Sequence, residues 1–236
     1  MSNIVQNATP GLPEQFPRQD IRHPKSDASF WQRNGAFKRI VDIVLSFSAI
    51  IALFPIMLLI VLGVKLSSRG PVIYKQDRVG RNGDIFPMYK FRTMYIDSDN
   101  VLDALLRSCP RSAEEWSIYQ KLRFDPRITP IGHFLRKTSL DELPQLFNVM
   151  FGHMSMVGQR PILSTQIESY GTEHFTQYIR SRPGITGLWQ VSGRNGLSFE
   201  KRAALGTEYS HSWSNRYDFI LLLKTVPALI KSSNAY

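Results

Sequence analysis

The sequence has little of the two residue types that most often build disulfide frameworks and zinc sites. Cys109 is its single cysteine, which excludes an intramolecular disulfide and is typical of a reducing, cytosolic environment. Its five histidines show no ligand spacing with one another or with Cys109, which argues against a structural zinc site. The fold must therefore depend on a packed core, for which 236 residues are enough.

Acidic residues are also in deficit. The chain carries 29 lysines and arginines against 19 aspartates and glutamates, which gives a formal net charge of +10. Such a surface attracts polyanions, and composition alone leaves nucleic acid, anionic lipid and phosphorylated small molecules open as partners.

The beginning of the chain lacks the apolar periodicity of a folded element. Residues 1–36 are rich in Pro, Asn, Gln and Ser, and they contain no apolar core of a signal peptide. We therefore expect residues 1–36 to form a flexible tail.

A charge-free apolar run follows, from Ile43 to Val64, and it is long enough to cross a membrane as a helix. Its 22 residues would span roughly 33 Å. Pro55 should bend such a helix sharply, and basic residues flank the run at both ends, whereas a spanning helix usually carries more of them on one side. A helix that enters, turns at Pro55 and leaves by the same leaflet is thus an alternative to a spanning helix, and the residues alone do not separate the two.

Residues 72–94 show the pattern of two strands around a glycine-rich turn. Lys90 and Arg92 share one face of the second strand, where they form either a phosphate clamp or an ordinary solvated face. Shortly after it, Asp97 and Asp99 have the D-x-D form by which many nucleotide-sugar glycosyltransferases bind a metal. The alternation of strands and helices that such enzymes need ahead of this motif is missing, and a polar turn accounts for the pair equally well.

The strongest candidates for chemistry are Asp141 and Glu142, five and six residues after Arg136, at the start of an apolar helix. The apolar positions of that helix recur three and four residues apart, at Leu143, Leu146, Phe147 and Met150. Two helix starts compete, because Ser139 and Glu142 fit a capping box whereas Pro144 prefers to be the first helical residue. In either case the partly positive helix end favours ionised carboxylates and a nearby phosphate, although acids at a helix start are also common as simple caps.

Two later segments, rich in glycine and proline, supply further arginines. Arg160 lies in the first, and Arg194 follows Gln190 in the second. Glycine turns allow close backbone approach and arginine makes two-pronged contacts with phosphate oxygens, so such loops are suited to a nucleotide diphosphate. Residues 219–230, which include Pro227, are apolar enough for a core helix or for a helix in the membrane interface.

Taken together and in this order, the motifs resemble those of the bacterial sugar transferases, the monotopic phosphoglycosyl transferases that begin polysaccharide assembly. The segments that carry the resemblance are Lys38-Arg39, Lys90 through Met94, Asp125-Pro126-Arg127, Arg136 through Asn148, Gly158 to Pro161 and Pro183 to Asn195. The resemblance covers roughly residue 37 to the C-terminus. It is closest to short members that move galactose-1-phosphate or glucose-1-phosphate in exopolysaccharide synthesis.

The resemblance implies an α+β, helix-rich fold at the bacterial inner membrane. Residues 37–68 would form a re-entrant membrane helix broken at Pro55. Residues 69–236 would form a catalytic domain on the cytoplasmic face, with a small β-hairpin and amphipathic interface helices.

The same resemblance implies a two-step exchange. Asp141 would attack the β-phosphate of a UDP-sugar, release UMP and carry the phosphosugar until undecaprenyl phosphate accepts it. Glu142, with Asp141, would bind Mg²⁺, and the neighbouring cations should keep Asp141 ionised. The residues expected to contact phosphate or substrate are Arg136, Lys90, Arg92, Arg160, Gln190 and Arg194. The implied partners are UDP-galactose or UDP-glucose, undecaprenyl phosphate and membrane lipid but not nucleic acid, and a homo-oligomer stays open.

Two residues depart from the family pattern. Phe54 precedes Pro55 where relatives often have serine, and Gln159 stands where the family usually has proline, which should alter the loop rather than the chemistry. Two other functions also stay open. A glycosyltransferase that uses Asp97 and Asp99 would release UDP instead of UMP, and a non-catalytic membrane adaptor would show no turnover.

Overall fold

The computed structural model describes residues 25–119, 122–193 and 197–232, and these are mostly helical, with four short strands. The helices are α1 Lys25–Ser67, α2 Ser98–Ser108, α3 Pro110–Tyr119, α4 Pro130–Thr138, α5 Gln145–Phe151, α6 Ile167–Tyr170, α7 Thr172–Tyr178, α8 Leu188–Val191, α9 Phe199–Ser212 and α10 Asn215–Ser232. The strands are β1 Ile73–Val79, β2 Ile85–Phe91, β3 Ser155–Val157 and β4 Gly184–Thr186. The helix-rich α+β prediction is thus confirmed.

The predicted hairpin is present. Strands β1 and β2 are antiparallel, with Ile73 opposite Phe91 and Val79 opposite Ile85. A short 3₁₀ turn joins them, and within it Asn82 has a φ of 59°, a left-handed conformation that asparagine tolerates better than most residues. The hairpin forms one wall of the cleft described below.

The acid pair lies in a tight turn between two helices. Thr129 caps α4 by accepting a hydrogen bond from the Gly132 N–H at 3.0 Å, and the helix ends at Ser139, whose φ is 57°. A 3₁₀ turn, Leu140–Glu142, follows and leads through Pro144 into α5. The capping-box alternative is wrong, because the left-handed Ser139 makes no side-chain capping bond, and the proline-start alternative describes the helix better.

A second, two-stranded parallel sheet supports the loop that carries Arg160. Ser155 pairs with Gly184 and Val157 with Thr186. The backbones approach so closely that a Cβ on Gly184 would lie 2.1 Å from the Gly158 nitrogen, which only glycine permits. The close contact between Gly158 and Gly184 therefore fixes the position of residues 158–161, which follow β3.

Helix α1 is longer at its N-terminal end than the sequence indicates. It begins at Lys25, inside the segment predicted as a tail. The apolar part of α1 supplies the helix nucleus, and residues 25–36 extend it by adding one hydrogen bond per residue. Residues 1–24 lie outside the described part of the chain. The helix continues through Pro55, and its Gly35–Ser67 portion is long and apolar enough to cross a membrane by length and composition.

Both ends of the apolar run in α1 pack on the rest of the protein. Near the first end, Asp42 and Ser46 are buried, and the Asp42 carboxylate accepts hydrogen bonds from the Ser155 hydroxyl and the Met156 N–H. Near the second end, one core cluster combines residues of α1 with β2 and α4: Met57, Ile60, Val64, Phe91 and Leu135. Between these ends, residues 47–56 include no buried side chain.

The rest of the core lies under the glycine-rich loops. Its largest cluster joins β1, α6, α7 and α9 and comprises Val79, Ile162, Ile167, Tyr170, Phe175, Tyr178, Ile179 and Ala203. The apolar C-terminal stretch forms α10, which buries Asp218 and Leu221 but exposes Phe219, Leu223 and Val226 along one side. A helix in the membrane interface, one of the two alternatives that the sequence left open for this stretch, stays a prediction.

Candidate active site

A cleft of about 910 Å³ opens between the hairpin, the turn after α4 and the loop around Arg160. Seven residues singled out from the sequence line it together: Lys90, Arg92, Arg136, Asp141, Glu142, Arg160 and Gln190. They come from four separate segments of the chain, so their convergence is a property of the fold. Arg194 lies outside the described residues.

Asp141 occupies the buried side of this cleft. Burial raises its pKa from the ordinary value to about 6, and the adjacent Glu142 carboxylate adds to that increase. Lys90 and Arg136 act in the opposite direction but do not outweigh burial. Burial thus outweighs these two cations in the protein without substrate, although a pKa near 6 still leaves most of the carboxylate charged at pH 7.

Glu142 is tied to the hairpin. Its Oε1 accepts a hydrogen bond from the Lys90 ammonium at 2.8 Å, and both side chains are partly open to solvent. The buried Asn148 fixes the distance between α5 and β2. Its Nδ2 donates to the Pro87 carbonyl at 2.7 Å, and its Oδ1 accepts from the Tyr89 N–H at 2.9 Å. One amide thus joins α5 to the strand that carries Lys90.

Arg136 and Arg92 have different environments, although both line the cleft. The Arg136 Nε donates to the Thr93 hydroxyl at 2.9 Å, which orients the guanidinium. Arg92 is buried and donates to the carbonyl oxygens of Ser68 and Arg69 just after the end of α1. The solvated-face alternative is thus wrong for Arg92. The two cations of the suggested phosphate clamp have different partners: Arg92 binds the backbone just after α1, whereas Lys90 binds Glu142.

The loop after β3 brings Arg160 against an indole. The Arg160 guanidinium lies 4.7 Å from the ring centroid of Trp189, and the Arg202 guanidinium lies 5.5 Å from the same centroid. Next to this indole, Gln190 donates from its Nε2 to the Ile185 carbonyl at 2.9 Å. Burial lowers the pKa of Arg160, and the charge of Glu142 opposes that shift.

Gln159, the departure from the family pattern, is buried and fully bonded. Its Nε2 donates to the Ser210 hydroxyl at 2.8 Å, and its Oε1 accepts from the Tyr170 hydroxyl at 3.1 Å. Gly206 makes room for this amide, because a Cβ there would lie 2.4 Å from Oε1. Gln159 does not line the cleft, so it anchors the loop, whereas its neighbour Arg160 lines the cleft.

The donor set of the cleft suits a magnesium ion that a substrate helps to bind. Among the described residues, no group of three or more His, Cys, Asp or Glu could hold a metal alone. Mg²⁺ often takes only one or two carboxylates together with substrate phosphates and water, and Asp141 and Glu142 supply that number. Asp99 also lines the cleft, whereas Asp97 accepts a hydrogen bond from the Asn100 amide, so the D-x-D pair does not converge on one point.

Sequence reasoning missed several residues around the site. Arg78 and Arg202 carried no recognisable signal, because charged residues in strands and helices have many ordinary explanations, and Trp189 lay within the quoted segment Pro183 to Asn195 without a role. Asn148 lay within a quoted motif without a role. An inward amide shortly after two acids, at the edge of a short hairpin, is a signal that could have identified it.

Comparison with known proteins agrees with this geometry. A model of the bacterial sugar transferase family matches residues 33–232. The chain is 43% identical, over 90% of its length and 94% of the relative's, to the exopolysaccharide production protein ExoY of Sinorhizobium fredii. It is 45% identical to the undecaprenyl-phosphate galactose phosphotransferase of Salmonella typhimurium, over 84% of this chain and 41% of that one. It is 37% identical to the UDP-glucose:undecaprenyl-phosphate glucose-1-phosphate transferase of Caulobacter vibrioides, over 84% of this chain and 72% of that one. The extent of the match and the identity to these relatives place the chain in the bacterial sugar transferase family.

Proposed function

We propose that the protein transfers a hexose-1-phosphate from a UDP-sugar to undecaprenyl phosphate, as the first step of exopolysaccharide assembly. The observation that carries this proposal is the position of Asp141, a carboxylate with a raised pKa that lines a cleft together with several cations. The names of relatives with substantial identity support the same donor and acceptor classes. Galactose and glucose are the favoured sugars.

In the first step an Asp141 carboxylate oxygen bonds to the β-phosphorus of the donor. The bond from that phosphorus to the oxygen bridging the two phosphates breaks, and UMP leaves with the electron pair. In the second step a phosphate oxygen of undecaprenyl phosphate attacks the same phosphorus, and the bond to Asp141 breaks. A carboxylate is a weak nucleophile, so both steps depend on cations that neutralise the phosphates.

The cleft distributes this neutralisation over several residues. Arg136, oriented by Thr93, and Arg160, placed against Trp189, contact phosphate oxygens. Lys90, already bonded to Glu142, can move to a phosphate when the donor arrives. Glu142 with Asp141 would hold Mg²⁺, which supplies Lewis-acid polarisation of the diphosphate when it is bound.

The membrane arrangement we propose is re-entrant, with the catalytic domain on the cytoplasmic face of the inner membrane. A spanning helix separates its ends by roughly 30 Å of hydrocarbon. In α1, however, Lys38 bonds to Asp218 and to the Val157 carbonyl at one end, while Ser68 accepts from Arg92 just beyond the other. Attachment of both ends to the same body, with an exposed apolar middle, supports entry and exit through one leaflet.

The test is to incubate the purified protein with polyprenyl phosphate, Mg²⁺ and a panel of UDP-sugars, and to identify the released nucleotide. We expect UMP, and we expect Asp141→Asn to abolish its release. The matched control is Asp99→Asn, which removes another cleft carboxylate and should retain most of the activity. Release of UDP together with loss of activity in Asp99→Asn would favour the glycosyltransferase alternative, and absence of any turnover would favour an adaptor.

A further inference from the structure

Arg78 is a buried arginine beside the cleft that forms no ion pair with a carboxylate among the described residues, although the charge of Glu142 acts on it at longer range. It lies on β1, and its guanidinium donates from Nη2 to the Gln76 Oε1 at 2.6 Å and from Nη1 to the Pro161 carbonyl at 3.3 Å. The third donor, Nε, is buried without a partner among the described residues. Both acceptors are neutral, so these bonds satisfy donors without cancelling the charge.

The absence of a counter-charge extends to its neighbours. In the described part of the chain, neither Arg78, Arg160 nor Arg202 forms an ion pair with a carboxylate within 4.0 Å. Burial lowers the pKa of Arg78 to about 10, and repulsion from Arg160 contributes to that shift. Burying an unpaired charge is unfavourable, and folded proteins usually pair or solvate such groups. Buried arginines without a paired carboxylate therefore either lower the stability of the protein or are stabilised by a bound anion.

The two bonds of Arg78 connect parts of the cleft wall that are distant in sequence. Gln76 lines the cleft on the hairpin side. Pro161 directly follows Arg160, which lines the cleft from the loop after β3. Loss of the guanidinium would release the carbonyl beside Arg160 and the amide of Gln76 together. Arg78 therefore controls where the Arg160 guanidinium stands relative to the hairpin.

We propose that Arg78 is a positioning residue of the donor's diphosphate site, which holds Arg160 and Gln76 in register and adds positive potential behind them. The ligand class is a nucleoside diphosphate or its sugar ester, so the inference rests on the proposed function and deepens it. Arg78 touches no reacting atom. It acts through Arg160, and the incoming diphosphate supplies the direct ion-pair partner that both arginines lack among the described residues.

The experiment measures binding of UDP and of inorganic pyrophosphate to the full-length protein in detergent, by isothermal titration calorimetry. One variant is Arg78→Met, which removes both the charge and the guanidinium donors. The other is Arg78→Lys, which keeps the charge but cannot bind the Gln76 Oε1 and the Pro161 carbonyl together. The control is Arg81→Met, an exposed arginine on the same hairpin. We expect the dissociation constants of both probes to rise at least tenfold in Arg78→Met, about threefold to tenfold in Arg78→Lys and less than twofold in Arg81→Met.

A purely structural role gives a different result. It predicts a lower thermal unfolding midpoint for Arg78→Met with UDP and pyrophosphate affinities within twofold of the wild type, and that outcome overturns the proposal. If Arg78→Met does not fold, Arg78→Lys decides by the same criterion, because it keeps the buried cation. If the wild-type protein binds UDP but releases no UMP from any UDP-sugar, the proposed function is rejected and this binding test is unaffected.

Discussion

At the scale of single residues, Asp141 combines two opposing requirements. The nucleophile that we propose must be ionised, yet burial beside Glu142 raises the pKa of Asp141 to about 6. The sequence identified the residue through its motif, and it correctly indicated cations nearby. It could not indicate the balance between burial and charge, because burial depends on how the hairpin, the turn and the Arg160 loop close around the carboxylate.

The first prediction concerns the pH dependence of turnover. Because the ionised form of Asp141 attacks, kcat/KM should rise about tenfold per pH unit below pH 6 and level off above it. Lys90 is the largest influence that lowers this pKa, so Lys90→Met should move the rising limb to higher pH. A profile without a rising limb between pH 5 and 7 would contradict the assignment of Asp141.

The second prediction concerns stability. A carboxylate whose pKa is higher in the folded than in the unfolded state destabilises the fold increasingly as pH rises through the interval between the two values. Asp141→Asn should therefore raise the free energy of unfolding at pH 7, by at most about 3 kcal/mol, while it abolishes activity. Thermal unfolding in detergent with EDTA at pH 4.5 and pH 7 measures the effect, which should be smaller at pH 4.5. A variant less stable than the wild type at pH 7 would argue against a strained nucleophile.

The third prediction concerns Gln159 and Gly206, which fit each other. Gly206→Ala places a Cβ 2.4 Å from the Gln159 Oε1 and should destabilise the protein by about 1–3 kcal/mol. Gln159→Ala removes the clashing atoms, so the double variant should recover part of that loss relative to Gly206→Ala. Thermal midpoints of the two single variants and the double variant test this coupling. Additive losses would show that the two residues do not interact.

At the scale of elements, the hairpin and the apolar faces of the helices were predictable because they follow local periodicity and turn chemistry. The start of α5 was only partly so. Ser139 and Glu142 satisfy the sequence rule for a capping box, but the end of α4 requires Ser139 in a left-handed conformation, and this excludes it as a cap. The burial of Arg92 was not predictable for a related reason, since its partners are carbonyls just after the end of α1, in a different part of the chain.

The fourth prediction concerns the joint between α5 and β2. Asn148→Ala leaves the Tyr89 N–H and the Pro87 carbonyl without their partner, which should destabilise the fold by about 2–4 kcal/mol. Asn148→Asp keeps an acceptor for the Tyr89 N–H, but it sets a buried carboxylate oxygen against the Pro87 carbonyl, so it should lose at least as much stability. Thermal unfolding midpoints measure both, with the exposed Asn100→Ala as a control expected within about 0.5 kcal/mol of the wild type. Equal stability of Asn148→Ala and Asn100→Ala would show that the joint contributes nothing.

At the scale of the whole molecule, the proposed arrangement makes α1 the element that sets the orientation of the cleft at the membrane. Length and hydropathy alone fit a spanning helix as well as a re-entrant one, and the sequence could not separate them. The contacts of both ends of the apolar run with one body are a tertiary property, which local pattern does not encode.

The fifth prediction tests that arrangement by labelling. In a Cys109→Ser background, single cysteines at the exposed positions Phe37 and Leu66 flank the apolar run. A membrane-impermeant maleimide should label both from the cytoplasmic side, in inverted vesicles, and neither in intact spheroplasts. Labelling of one position from each side would restore the spanning helix.

The most direct measurement of the central claim is intact-protein mass spectrometry after incubation with UDP-sugar and Mg²⁺ but without the lipid acceptor. The account predicts a mass increase equal to one hexose phosphate, located on Asp141 by peptide analysis and discharged when polyprenyl phosphate is added. Asp141→Asn should show no such adduct. An active protein that never carries the adduct, or one that carries it on another residue, would contradict the account.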